Sequence, residues 1–159
     1  MNQASCDLGG VNMNIKAVVF LSVSMLISSF AYSAESDSQP IAINLDDVQW
    51  GPPGGGNGVP LGTRTAQQRV DDKTGGITYY ALFPASTHFD LHWHTHDEFV
   101  SVMSGAVTLV LGDKSYDLQA GAYVVIPGGM NHSWDVPDDG DVVILVSRAG
   151  PADFHFIEQ

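Results

Sequence analysis

From Thr63 to Val146 the sequence is cut into short β-branched and aromatic runs, and each ends at Gly, Pro or Asp before a helical period can establish itself. Asp71-Asp-Lys-Thr-Gly-Gly76 reads as a hairpin turn into Ile77–Phe83, which Pro84 closes. Phe99–Met103 and Val107–Leu111 flank Ser104-Gly105, and Gly112–Ser115 turns the chain again. Tyr123–Ile126 and Val142–Val146 are equally short and bounded by turn residues. Strands of this kind at close spacing predict an all-β sandwich or barrel. Upstream, Ile41–Leu45 alternates apolar and polar residues and is predicted to be a half-buried edge strand, a place where a homodimer could form. Trp50–Gly58 is a loop by composition. It is no phosphate cradle, because no Lys-Ser/Thr pair follows it.

A length of 159 residues allows one domain with a single core. Residues 1–33 are predicted to lie outside that core. Lys16 precedes the apolar run Ala17–Ala31, and small residues at Ala31 and Ser33 then mark an exit, the pattern of a secretory signal peptide cut before Ala34 or after Ala31. A spanning helix needs roughly 20 apolar residues, more than this run offers. Met13 opens a more ordinary start, so residues 1–12 read as an upstream extension. Residues 34–40 are predicted to be a flexible leader and 41–159 the folded domain. Cys6, the sole cysteine, falls in the segment expected to be removed, which leaves no thiol chemistry and no disulfide. The destination expected from these features is the bacterial periplasm or the exterior. A formal charge of −12 opposes binding to nucleic acid or to an anionic membrane surface.

The chemistry-bearing residues fall in two groups. His92-x-His94-x-x-x-Glu98 supplies two imidazoles and a carboxylate, and Gly121-x5-Pro127-x-Gly129-x-x-His132 supplies a third imidazole. Three nitrogens and one oxygen suit Fe, Mn, Ni, Cu or Zn. On a strand, residues two apart share a face, so His92 and His94 would point together while Trp93 points into packing. Glu98 keeps that parity if the strand continues. His96 shares it too, and spacing alone leaves a His94/His96 pair open. The residues Ala106–Ala120 between the two groups suffice for two strands and a turn.

These motifs resemble those of the cupins, small jelly-roll β-barrels also described as a double-stranded β-helix. His92-Trp-His94-Thr-His-Asp-Glu98 with Gly105 fits the first cupin motif, and Gly121 through His132 fits the second. Two positions depart from the pattern: Thr87 stands where a glycine is expected, and Val136 where an asparagine is expected. The resemblance implies one divalent metal inside the barrel on His92, His94, Glu98 and His132, with open positions for water, substrate or oxygen. It favours His92/His94 over His94/His96 and makes His96 a residue of the pocket or its rim. His88 and His155 read as surface or packing residues.

Cupins include dioxygenases, decarboxylases, isomerases, lyases and binding domains, so fold alone selects no reaction. The first reading is a metal-dependent enzyme, dioxygenase-like or a decarboxylase or lyase, acting on a small organic molecule. The second is a module that binds a metal or small ligand without turnover. Tyr79, Tyr80 and Tyr123 are candidate proton donors, though strand tyrosines more often build walls. Trp134 reads as packing. Metal affinity is expected to fall below about pH 6, where imidazoles protonate.

Overall fold

Alternation of side chains along the strands determines which residues meet in the interior. In Ala106–Leu111, Val107 and Leu109 are buried while Thr108 turns outward to donate a hydrogen bond to Asp117. The same parity buries Val100 and Val102 on one strand and Val142, Ile144 and Val146 on another. The computed structural model describes residues 39–158, and Ile41–Gln159 forms one compact unit. The signal-peptide segment, the upstream extension, Cys6 and most of the leader lie outside the described residues.

Eleven strands are described: β1 Gly54–Gly56, β2 Val59–Val70, β3 Ile77–Phe83, β4 His88–Trp93, β5 Glu98–Ser104, β6 Ala106–Leu111, β7 Lys114–Gln119, β8 Tyr123–Ile126, β9 His132–Asp135, β10 Val142–Arg148 and β11 His155–Phe156. They form two antiparallel sheets, in the orders β1-β2-β3-β10-β5-β8 and β11-β4-β9-β6-β7. This is the all-β architecture that the strand pattern predicts, in the jelly-roll form that the cupin resemblance implies. The main core fills the space between the sheets with Phe83, Phe89, Val100, Val102, Leu109, Ile126, Trp134 and Ile144 among others. A smaller cluster lies on the opposite side of β3 and β10, where Tyr80 and Val143 pack with Val48 and Trp50.

Two expectations fail upstream of β2. Ile41–Leu45 is not a strand: the chain is extended without a pairing partner and then closes a 3-10 turn at Leu45–Asp47. Asn44 donates to the Asp47 carboxylate at 2.9 Å, and the Asp47 amide bonds the Asn44 carbonyl at 3.0 Å. That local capping competes with sheet formation. The edge expected to support a dimer is therefore absent. Trp50–Gly58 is not wholly a loop either, since Gly54 and Gly56 pair with Thr63 and Val59.

The turn at Gly105 shows why glycine is needed there. Its φ is +76°, and an added Cβ would stand 2.3 Å from the Asp141 carbonyl oxygen.

Candidate metal centre

β4 and β9 are neighbours in one sheet, and their register sets His92 opposite His132. Directly opposed residues on one sheet face stand close enough to touch, and these two rings have centroids 4.2 Å apart. His94 lies one residue beyond the end of β4, with its ring 4.9 Å from His92 and 5.0 Å from His132. Glu98 reaches the same point from the other sheet. It opens β5 with the parity of buried Val100 and Val102, so its side chain faces the barrel interior.

Parity would put Glu98 on the face of His92 only if that strand continued. Instead the strand stops at Trp93 and residues 94–97 turn the corner between the sheets. The Pro127–Gly129 segment braces this corner. The Gly129 amide donates to the His94 carbonyl and the Gly128 amide to the Asp97 carboxylate, both at 2.8 Å. A Cβ at Gly128, the variable position between Pro127 and Gly129, would approach the Thr95 oxygen to 2.6 Å, while the motif residue Gly129 has a φ of +76°, a left-handed conformation that favours glycine.

All four side chains are buried. One ring nitrogen from each of His92, His94 and His132 lies within 4.8 Å of the others. Their protons are committed elsewhere. Nδ1 of His92 meets the Asp90 carbonyl at 2.6 Å, that of His94 the Asp153 carbonyl at 2.6 Å, and that of His132 the Met130 carbonyl at 3.0 Å. A carbonyl only accepts, so each Nδ1 carries the hydrogen and each Nε2 keeps a lone pair. The Glu98 Oε2 atom lies 3.1 Å from His94 Nε2 and 3.6 Å from His132 Nε2. Glu98 Oε2 and His132 Nε2 are buried without a hydrogen-bond partner. Electron-rich atoms converging in a dry interior repel one another unless a cation lies among them. The donor set thus fits a divalent metal, with outer carbonyls orienting each imidazole as metal-binding histidines require.

Burial, reinforced by the neighbouring His132, pushes His92 down to about 3. Burial alone would raise the Glu98 carboxyl, but the polar contacts around it, the Arg148 guanidinium at 3.2 Å among them, outweigh it and hold the group well below the usual carboxylate range. The His92 shift implies a pH dependence for the metal-free barrel. An unfolded His92 takes a proton near its ordinary value of 6.5, whereas the folded one does not until about 3. Stability is therefore complete above 6.5 and is lost as pH falls through that window, by at most about 1.4 kcal/mol per pH unit for this one group. Urea titrations of chelator-treated protein at pH 7.5 and 5 are expected to show the decline. For His92, proton competition with metal also sets in below the pH 6 expected from an ordinary imidazole.

Arg148, at the end of β10, belongs to this site and was not singled out in the sequence. Its Nη2 lies 3.2 Å from Glu98 Oε1 and 3.1 Å from His94 Nε2. A signal was present: Arg148 continues the parity of Val142, Ile144 and Val146, which puts it on the inner face of β10. Nη1 donates to the Asp153 carbonyl at 3.3 Å, and the guanidinium lies 5.0 Å from the centre of the Phe154 ring. The Asp153 carbonyl therefore serves both His94 and Arg148. Thr95 and His155 hold the Asp153 carboxylate, through a hydrogen bond from the Thr95 hydroxyl and a 3.0 Å contact to His155 Nε2. Those contacts, acting against a desolvation that would raise it, lower Asp153 to about 2.

His96 lies apart from the cluster, because the strand ends before it. Its ring packs where a Cβ at Gly150 would be 2.3 Å away. His96→Ala is accordingly expected to bind the same metal equivalents, by elemental analysis, as the parent chain. His88 pairs on the surface with Asp135 at 2.6 Å, and His155 stacks on Trp93 at 3.9 Å. Trp134 is core. Tyr80 packs against Trp50, and Tyr123 is exposed at the sheet edge. Tyr79 alone of the three reaches the centre, with its hydroxyl 3.3 Å from Arg148 Nη2, and burial raises its phenol. The Val136 amide bonds the Thr87 carbonyl at 2.9 Å, away from the imidazoles, and the residue six before His92, where the motif glycine falls, is Ser86, with a φ of +58°.

Residues 79–148 match the Cupin domain family. The chain aligns over 56 residues, at 39% identity, with an uncharacterized protein, y4oW, of Sinorhizobium fredii, covering 35% of this chain and 25% of that one. It thus spans a quarter of the length of that relative. A cupin 2 conserved barrel domain protein from Rhodopseudomonas palustris superposes with a TM-score of 0.62 at 16% identity, over 76% of this chain and 87% of that structure. The polyketide cyclase RemF from Streptomyces resistomycificus superposes with a TM-score of 0.58, also at 16% identity and with coverages of 76% and 87%. At such identities the likeness concerns the fold. Together with the family match it supports the cupin superfamily.

Proposed function

We propose that this chain is an exported protein that holds one divalent metal ion on His92, His94, Glu98 and His132 and uses it on a small organic molecule. The observation that carries this reading is the set of three imidazoles whose Nδ1 atoms are tied to backbone carbonyls and whose Nε2 lone pairs converge with Glu98. A metal held there supplies Lewis-acid polarisation of an oxygen-bearing substrate or, if redox-active, oxygen chemistry of the dioxygenase type. The protein's part is to orient the ligands, exclude water through the rings of Phe89 and Phe154, and present Tyr79 as a protonated hydroxyl beside Arg148. That RemF is a polyketide cyclase is compatible with an organic substrate in a barrel of this shape. The apolar run before Ala34 supports export to the periplasm or beyond.

The second reading, metal and ligand binding without turnover, is favoured by the scarcity of proton-transfer groups. Tyr79 has its phenol raised by burial, and Glu98 is committed to the centre. Metal content separates the readings. Elemental analysis of natively exported protein giving one equivalent of Fe, Mn, Ni or Cu supports oxygen-consumption and decarboxylation assays. One equivalent of Zn moves the weight to lyase, isomerase or binding roles. No metal, and none taken up on titration, would sink the proposal.

A further inference from the structure

We propose that Arg148 is the anion-recognition residue of the centre, binding the carboxylate of a substrate whose apolar body lies in the adjoining cavity. This rests on the metal reading above. A guanidinium keeps its charge at every accessible pH, and Arg148 is 4% exposed, so its charge must be balanced inside the barrel. The carboxylate that balances it is Glu98, at 3.2 Å. Glu98 is also one of the four donors converging on the metal position.

Charge accounting gives the consequence. Three neutral imidazoles, one carboxylate and one guanidinium sum to zero. A divalent cation brings the site to plus two and engages Glu98 and the His94 Nε2 lone pair, the two acceptors that Nη2 now faces. Arg148 Nε has no acceptor even without metal. The remaining acceptors are the Asp153 carbonyl and the Tyr79 hydroxyl, both at 3.3 Å and both neutral. A buried, under-bonded cation beside a net positive centre is a site for an anion. A carboxylate fits the planar guanidinium fork, and Tyr79 can donate a second hydrogen bond to it.

The cavity supplies the rest of the substrate class. A space of about 250 Å³ is lined by Val59, Tyr79, Ala81, Phe83, Phe89 and Phe154, with further glycine, proline and threonine positions around it. Three of these rings join it to the centre. Phe89 stacks on His92 at 4.3 Å, Phe154 lies against Arg148, and the Tyr79 hydroxyl meets Arg148. Arg148 itself lines a different cavity, where Arg69 stands beside Asp71, whose carboxyl is held low by backbone amides and opposes an anion; the aromatic cavity reaches Arg148 only through Tyr79 and Phe154. The ligand class is therefore a small carboxylic acid with an aromatic or apolar body.

The test uses the full chain, exported and loaded with one equivalent of Zn, with metal content measured on every sample. Benzoate, phenylacetate and cinnamate are compared with their uncharged amides by calorimetric titration and thermal shift. At least one acid is expected to bind and to raise the melting temperature, with its amide at least tenfold weaker. Arg148→Gln is expected to keep its zinc and weaken the acid tenfold or more, while Arg148→Lys recovers part of the loss. The comparison of acid with amide needs only the parent chain, so misfolding of a variant leaves the question answerable. Zinc uptake with no acid bound, or with acid and amide equal, overturns the inference alone. Failure to take up zinc overturns the metal reading and this inference with it.

Discussion

His132→Ala is expected to abolish stoichiometric metal binding while leaving a folded barrel, and His92→Ala to do the same. Each change removes one of three convergent nitrogens from a site where the others are already fixed by Asp90, Asp153 and Met130 carbonyls. Loss of an outer-shell partner alone typically weakens a metal about 10–100-fold, so loss of a ligand should exceed that. The barrel should survive because the main hydrophobic cluster, from Val100 and Leu109 to Trp134 and Ile144, does not depend on either ring. Metal equivalents per chain, read with the circular dichroism spectrum, decide the matter. His88→Ala, at a half-exposed surface ring, is the control that should keep its metal. Full occupancy in both site variants would overturn the ligand assignment.

How legible was this centre? Several strand boundaries downstream of Thr63 follow from local signals. Pro84, Gly105 and the Asp71–Gly76 turn act within a few residues, and Ile77–Phe83 and Tyr123–Ile126 match their strands residue for residue. Residues 106–120 form two strands and a turn, as their length implied. Legibility fails where partners are distant or where local polar groups compete. Ile41–Leu45 has the right alternation but no neighbour to pair with, and Asn44 and Asp47 close a turn instead. The parity argument carried His92 correctly to the interior but failed at His96, because the strand breaks at Trp93. Arg148 went unnoticed because its role depends on Glu98 and His94, fifty and more residues away in sequence, although strand parity alone placed it inside.

Glu98→Ala is expected to have the larger effect on folding. In the metal-free protein Glu98 is the carboxylate against Arg148, and both are almost wholly buried. Removing one member of a buried ion pair typically costs about 3–5 kcal/mol, chiefly because the other charge is left without compensation. Replacing both partners by apolar residues of similar shape is far less harmful, and often neutral. Glu98→Leu with Arg148→Met should therefore be more stable than Glu98→Ala alone, although it alters more atoms. Urea denaturation of chelator-treated proteins measures each form, and the cycle completed with Arg148→Met gives the coupling between the two positions. The same cycle in the presence of zinc adds a second reading. Every form lacking Glu98 loses part of the metal's stabilising effect, because a ligand that binds only the folded state stabilises in proportion to its affinity. Equal stability of Glu98→Ala and the parent chain without metal would mean that Arg148 finds its balancing charge elsewhere, and the charge accounting of the centre would then fail.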